Sequence, residues 1–226
     1  MSTAPPTTPP RAATLLLDLG PLAQLRAGRL PLRLLVLAVG LALYGASLAM
    51  MVRGDLGLAP WDVLHSGIVR HVPITLGQAV IVMSFAVLLL WVPLREKPGV
   101  ATVANAVLVG LSADATLWLL DRPDALAARV GLMVGGVVLC GFATALYIGA
   151  QLGRGPRDGL MTGLARRTGW SIRLVRTGIE VTVVLLGLLL GGVLGVGTVV
   201  FALAIGPLAQ LMMPWFVVRL PERRDP

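Results

Sequence analysis

The sequence predicts an all-α membrane protein that crosses the bilayer six times. Three observations support this prediction: the composition is strongly apolar, long apolar runs recur, and the two halves of the chain match each other. Of the 226 residues, 56% are hydrophobic and 13% are charged, and the mean hydropathy is +0.85. Soluble domains carry about twice that share of charged residues, so the composition places the chain in a membrane.

The apolar runs define the individual spans. A helix needs about 20 apolar residues to cross roughly 30 Å of hydrocarbon. Six runs of about this length, separated by polar or glycine-rich segments, predict spans at Leu32–Val52, Gly77–Leu94, Gly99–Leu120, Val130–Gln151, Ser171–Gly191 and Val196–Val217.

An internal repeat with a period of 96 residues organises these spans. Residues 33–70 match residues 129–166 at 12 of 38 positions without a gap, and residues 99–113 match residues 195–209 at 7 of 15. Such matches indicate a duplicated unit with three spans in each copy. Because three is odd, the second copy enters the membrane from the opposite side. The sequence therefore predicts two inverted three-helix repeats related by a pseudo-two-fold axis in the membrane plane.

The repeats leave a tail at each end of the chain. Residues 32–128 form the first repeat and residues 129–217 the second. Residues 1–31, which begin with a Pro/Thr-rich stretch and are basic further on, predict a disordered N-terminal tail in the cytoplasm. Residues 218–226 form a short C-terminal tail.

The positive charge is distributed unevenly between the two sides of the membrane. With the N-terminus in the cytoplasm, 15 of the 19 Lys and Arg residues fall in cytoplasmic segments. The positive-inside rule therefore predicts a multi-pass protein of the plasma membrane with both termini in the cytoplasm. The net charge of +8 is explained by this orientation, so we expect no nucleic-acid partner.

Each repeat contains a short segment after its first span. Pro60–His71 and Pro156–Arg167 would each be about 18 Å long as a helix, too short to cross the membrane. We therefore predict a short half-helix in each repeat. Whether these half-helices re-enter the membrane or lie at its surface stays open.

Each half-helix carries an aspartate two residues after its first proline. Proline suits the first helical position, and an acid at the third position meets the free amides and the positive end of the helix dipole. Asp62 and Asp158 could act only as caps. Alternatively, with Arg157 beside Asp158, they could also form a midplane site for a solute, since ionisable groups within a membrane usually have a function.

Other polar residues within the predicted spans have two interpretations each. Arg176 and Glu180 are one helical turn apart and could satisfy each other as an ion pair, or could form a proton or substrate site. Asp114 and its repeat mate Gln210, together with Asn105, could line a polar pathway or form helix–helix hydrogen bonds.

The sequence offers little support for a metal site or a cofactor. His65 and His71 could bind a metal together with Asp62, but the second copy has no histidine at either position, which favours interfacial histidines. Cys140 is the single cysteine, which excludes disulfides and a cysteine-based metal site. We expect neither a metal nor a cofactor.

Several of these motifs carry a family resemblance. They are the run from Gly153 to Met161, reading Gly-x-Gly-Pro-Arg-Asp-Gly-Leu-Met, then Arg173-x-x-Arg176-x-x-x-Glu180 and Gly195-x-Gly197-Thr198. In these motifs the chain resembles the YczE/YyaS/YitT family of bacterial integral membrane proteins, and in its length the short YczE-like branch. The resemblance implies six helices in the plasma membrane. It implies no particular substrate and no site residues, because the family is described only as membrane proteins or as transporters by inference.

Three classes of function remain. The repeats, the half-helices and the intramembrane charges favour a gradient-driven or passive transporter or channel for an unidentified small solute or ion. The basic cytoplasmic loop favours a non-transporting membrane regulator or assembly partner. An enzyme is the weakest interpretation, because no nucleophile, general base or cofactor signature is present; we expect no catalytic residues. The expected partners are the bilayer and the solute, and a homo-oligomer is left open.

Overall fold

A computed structural model of the chain describes Leu16 and residues 20–220. The prediction of a disordered N-terminal tail falls largely outside these residues, as does the end of the C-terminal tail. Within the described part, all regular secondary structure is α-helical. The nine helices are α1 (Pro21–Arg26), α2 (Leu30–Gly54), α3 (Pro60–Ile68), α4 (Leu76–Leu94), α5 (Val100–Leu119), α6 (Leu126–Gly149), α7 (Pro156–Thr168), α8 (Ile172–Leu189) and α9 (Val196–Phe216).

Five of these helices, α2, α4, α5, α6 and α9, are long and apolar enough to cross a membrane. The all-α, multi-pass character predicted from the sequence is therefore confirmed. The remaining predicted span coincides with α8, an 18-residue helix that carries Arg173, Arg176 and Glu180 and is not among the five.

Helices α2 and α6 form the centre of the molecule and run antiparallel. Arg33, at the start of α2, donates from Nε to the Ala150 carbonyl oxygen at the end of α6, at 2.8 Å. Arg129, at the start of α6 and 96 residues later, donates from Nε to the Gly54 carbonyl oxygen at the end of α2, at 3.0 Å. Each guanidinium thus satisfies free carbonyls where the helix dipole is negative. The charge distribution along the sequence indicates only an orienting role for these two arginines, and their carboxyl-end partners are visible only in the fold.

Beyond α2 and α6 the chain turns back through a glycine in the left-handed region. Gly57 has φ +117° and Gly153 has φ +123°, which favours glycine at both positions. Just before each glycine a carbonyl oxygen accepts a hydrogen bond from the first turn of a distant helix. Gly197 N donates to Leu56 O at 2.8 Å, and Ala101 N donates to Leu152 O at 2.9 Å. These bonds hold the starts of α3 and α7 in place.

The two short helices pack on the opposite halves of the chain. Helix α3 lies against α8, where Gly187 gives room to the backbone of Val63. Helix α7 lies against α4, where Trp91 fills the space above Gly159 and donates from Nε1 to Pro156 O at 3.0 Å. Val63 and Gly159 are repeat mates, as are Trp91 and Gly187. In the α3–α8 contact the glycine is on the long helix, and in the α7–α4 contact it is on the short helix and the larger residue is on the long one.

Candidate functional site

Helices α3 and α7 begin close to each other inside the molecule. The N-cap residues Ala59 and Gly155 provide no side-chain cap, and proline occupies the first helical position of both helices. Trp61 and Arg157, which are repeat mates, meet between the helices, with the guanidinium carbon 4.9 Å from the centre of the indole ring. This distance is within the range of a cation–π interaction, so the two helix starts are joined by a direct contact.

A cavity of about 230 Å³ adjoins this meeting point; we call it the large cavity. Its wall includes Trp61 and the first residues of both α3 and α7. The other polar side chains that line it are Tyr44, Thr144, Tyr147, Arg157, Asp158, Arg176, Glu180 and Gln210. Because two guanidinium groups face two carboxylates, the formal charges of the lining balance.

Asp62 belongs to a buried cluster behind Trp61. Its Oδ1 lies 2.9 Å from Nδ1 of His65, whose side chain is completely buried, and 3.9 Å from the nearest guanidinium nitrogen of Arg157. Asp62 is not part of the cavity lining. The guanidinium of Arg157 therefore contacts two groups of α3: the carboxylate of Asp62 and the ring of Trp61.

Asp158 lies directly on the large cavity and accepts a hydrogen bond from the hydroxyl of Tyr147. The sequence left open whether Asp62 and Asp158 cap their own helices. In the described residues the hydrogen bonds to these two carboxylates come from side chains on other turns or helices, not from the amides of the first turn. The two carboxylates are therefore linked to side chains around the meeting point of α3 and α7, in addition to lying at the helix starts.

Arg176 and Glu180 form the ion pair that their spacing suggested. Arg176 Nε lies 2.7 Å from Glu180 Oε1 on one face of α8. Both side chains also line the large cavity, together with Gln210 from α9. The pair is therefore complete by itself and, at the same time, within reach of a molecule in the cavity.

The polar residues of α5 occupy two different places. Asn105 lines a second, much smaller cavity of about 30 Å³, which adjoins Arg157 and Asp158; we call it the small cavity. Asp114 lies at neither cavity. Its Oδ1 accepts from Gly77 N at 2.8 Å and its other oxygen accepts from Thr75 Oγ1, so it caps α4. The structure therefore brings Asn105 to the site but leaves Asp114 in a structural role.

The histidines considered for a metal do not converge. His65 contacts Asp62 inside the protein, whereas His71 Nε2 lies 3.2 Å from Leu190 O at the surface. Among the described residues, no group of three His, Cys, Asp or Glu side chains could hold a metal ion.

Sequence reasoning missed the two tyrosines of the site. Tyr44 and Tyr147 are the only tyrosines of the chain, both line the large cavity, and their rings meet edge to face with centroids 6.1 Å apart. Membrane tyrosines usually lie at the interface with water. Tyr44, in the middle of the first predicted span, therefore carried a signal, whereas Tyr147, four residues before the end of its predicted span, carried none.

Comparisons with known proteins agree with this picture of a membrane protein. The family described as "Family of unknown function (DUF6198)" matches residues 31–214. An uncharacterized protein of Haemophilus influenzae is 40% identical over 83% of this chain and 85% of its own length. The uncharacterized membrane protein YczE of Bacillus subtilis is 30% identical over 77% of this chain and 82% of its own. The uncharacterized protein YyaS of Bacillus subtilis is 25% identical over 78% and 90%. These relatives confirm the resemblance found in the sequence motifs. No solved structure matches the chain.

Proposed function

This chain belongs to the family of unknown function DUF6198, and on that premise we propose that it transports a small polar solute or ion across the plasma membrane. The transport is driven by a gradient or is passive, and the solute binds in the large cavity. The observation that carries the proposal is a charge-balanced cavity enclosed by the starts of two short helices within a membrane protein. Short helices whose starts face a shared cavity are a recurrent way to build a midplane binding site in transporters.

Six spans in two inverted repeats are part of this proposal. The antiparallel packing of α2 and α6 supports it, because α2 and α6 are the first helices of the two repeats. Helix α8 would be the sixth span. Its 18 residues measure about 27 Å as a helix, and its Arg176–Glu180 pair faces the cavity rather than lipid.

The dimensions of the cavity limit the solute. The large cavity, at about 230 Å³, has room for several water molecules and therefore for a small solute only. The lining offers guanidinium groups, carboxylates and hydroxyls in one small volume. A small zwitterion, or a small solute with several hydrogen-bonding groups, fits both the size and the balanced charge.

An unpaired polar group beside the cavity also favours a bound solute. The indole nitrogen of Trp61 is buried and has no hydrogen-bond partner in the described part of the chain, although Trp61 itself lines the large cavity. A buried donor without a partner costs about 1–3 kcal/mol. A solute with an acceptor group would remove this cost upon binding.

Uptake into proteoliposomes tests the proposal. We expect the purified protein to accelerate uptake of at least one compound from a panel of labelled amino acids, betaines, small organic acids, amines and inorganic ions. Liposomes that contain the Asp158→Asn variant serve as the matched control and should lose that uptake. If folded wild-type protein moves no member of the panel, the alternative function gains support: a membrane regulator or assembly partner without transport. We propose no catalytic activity in either case.

A further inference from the structure

The two cavities are lined by matching positions of the two repeats. Val80, Ser84, Asn105 and Val109 line the small cavity. Their mates 96 residues later are Arg176, Glu180, Phe201 and Ile205, and all four line the large cavity. The volumes are nevertheless very different, at about 30 Å³ and about 230 Å³. Matching positions of the two repeats therefore surround a nearly filled space in the first repeat and an open cavity in the second.

The two cavities share one wall. Tyr44, Tyr147, Arg157 and Asp158 line both of them. A solute that contacts Arg157 and Asp158 in the large cavity therefore lies next to the small cavity, with only these shared side chains between them.

A difference in helix packing accompanies the difference in volume. Helix α5 lies very close to α2 at Gly45, where an added Cβ would be 2.8 Å from Ala113 N. At the matching place a Cβ on Gly141 would be 3.7 Å from Ala209 N, so the backbone of α9 is farther from α6, although the side chains are equally close: Leu208 Cβ would be 2.8 Å away, and its mate Ser112 Cβ 2.7 Å from a Cβ on Gly45. The backbone of α5, which lines the small cavity, therefore lies closer to α2 than the backbone of α9, which lines the large cavity, lies to α6.

We propose that the small cavity is the closed second half of the binding site, and that it receives the same small polar solute when α5 moves away from α2 and α9 closes on α6. This inference rests on the proposed transport function and adds a second site to it. Inverted repeats provide the physical reason, since two similar units can exchange their conformations at little cost in free energy.

The chemistry of the second half-site differs from that of the first. The small cavity offers the Asn105 carboxamide and the Ser84 hydroxyl where the large cavity has Phe201 and the Glu180 carboxylate. Both retain Arg157 and Asp158. The solute would therefore keep its contact with these two charges and exchange the Arg176–Glu180 pair for neutral hydrogen-bonding groups.

Accessibility of single cysteines tests the second half-site. The native cysteine is removed by Cys140→Ala, and cysteines are introduced separately by Val109→Cys for the small cavity and Ile205→Cys for the large one. Leu203→Cys, whose side chain faces outward on α9 and is 72% exposed, is the lipid-facing control. Each folded variant is reconstituted in vesicles and treated with a charged, membrane-impermeant methanethiosulfonate from one side at a time.

We expect the Ile205→Cys variant to react from one side only and the Val109→Cys variant to react from the opposite side only, each about tenfold faster than Leu203→Cys. In the double variant, a bulky adduct formed first at the Ile205→Cys position should hold α9 open and suppress reaction at the other cysteine. Reaction of both from the same side, or reaction of Val109→Cys at the control rate, would overturn the second half-site.

Uptake measured on the same vesicles separates the two proposals. If uptake occurs while the Val109→Cys variant reacts only at the control rate, the transport function stands and the second half-site is wrong. If the two cysteines react from opposite sides but no solute is taken up, the two half-sites stand and transport of the tested solutes is wrong.

Discussion

Asp158 and Asp62 occupy matching positions in the two repeats but differ in surroundings. Asp158 lies on the large cavity, with Tyr147 as its hydrogen-bond donor. Asp62 is buried behind Trp61 with His65 and Arg157. Under the proposed function we therefore expect separable roles: Asp158 to meet the solute, and Asp62 to hold the groups that surround the site.

Asparagine at each position should separate these roles. We expect Asp158→Asn to lower uptake by about tenfold or more, equivalent to about 1.4 kcal/mol, because the charge that faces the solute is lost. Its unfolding temperature should stay close to that of the wild type. Asp62→Asn should impair uptake less and lower the unfolding temperature more, since it weakens a buried ion pair.

Uptake and thermal unfolding are measured on the same preparations. Tyr147→Phe is the control variant, because it removes the hydroxyl next to Asp158 and keeps the carboxylate and the ring. If the Asp158→Asn variant takes up solute at the wild-type rate, Asp158 has no role in binding the solute.

At the scale of single residues, the sequence predicted those parts of the candidate site that both copies of the repeat retain. Asp62 and Asp158 were identifiable because both copies retain the acid. The repeat did not point to Tyr44 or Tyr147, because their mates are Cys140 and Met51 and neither is a tyrosine. Asp114 was misleading for another reason: its intramembrane position resembles a site, but its partner is the start of a neighbouring helix, which only the folded structure reveals.

At the scale of helices, the contact between α7 and α4 depends on a glycine. A Cβ on Gly159 would lie 2.0 Å from the ring of Trp91, a distance at which the backbone or the ring must move. Gly159→Ala should therefore destabilise the protein by about 1–3 kcal/mol, the usual cost of overpacking. Gly131→Ala on α6, where nothing lies within 4 Å, should leave stability unchanged or slightly improved.

Thermal unfolding in detergent compares these two variants. The double variant Gly159→Ala with Trp91→Phe should recover part of the loss, because the smaller ring leaves room for the methyl group. Equal stability of the two single variants would show that α7 is not packed against Trp91.

The arginines that join α2 to α6 provide a second prediction at this scale. Arg33 is completely buried, whereas the side chain of Arg129 is 20% exposed. Arg33→Gln should lower the free energy of unfolding by about 1.5–3 kcal/mol, the value of hydrogen bonds to a charged group. Arg129→Gln should lower it less, because water can replace part of its contacts. Denaturant unfolding measures both free energies. A larger loss for Arg129→Gln than for Arg33→Gln would contradict this prediction.

The helices themselves were largely predictable, and their partners were not. The lengths of the apolar runs and the proline starts predict helix positions close to those observed, because both signals are local in the sequence. Val63 packs against Gly187, and Trp91 packs against Gly159. In each of these two contacts the partners are more than 60 positions apart in the sequence. Local patterns contain no information about such pairs.

At the scale of the whole molecule, the charge distribution predicts one orientation in the membrane. A reporter fused after Pro226 and one inserted near Glu96, beyond the end of α4, should both lie in the cytoplasm. A reporter near Pro123, between α5 and α6, should lie outside. Paired phosphatase and fluorescent reporters measure this in intact cells. A cytoplasmic signal near Pro123 would contradict the predicted orientation; together with a cytoplasmic signal after Pro226, it would also contradict the inverted arrangement of the repeats.

The hydrogen bond between Leu56 and Gly197 has a consequence for how the protein is made. The short helix α3 begins only a few residues after Leu56, yet its neighbours on α8 and at the start of α9 lie more than a hundred residues later. While the ribosome is still translating the first half, α3 has α4 beside it but neither its main packing partner, α8, nor the amide that positions its start. The surroundings of α3 are therefore complete only when synthesis is nearly finished.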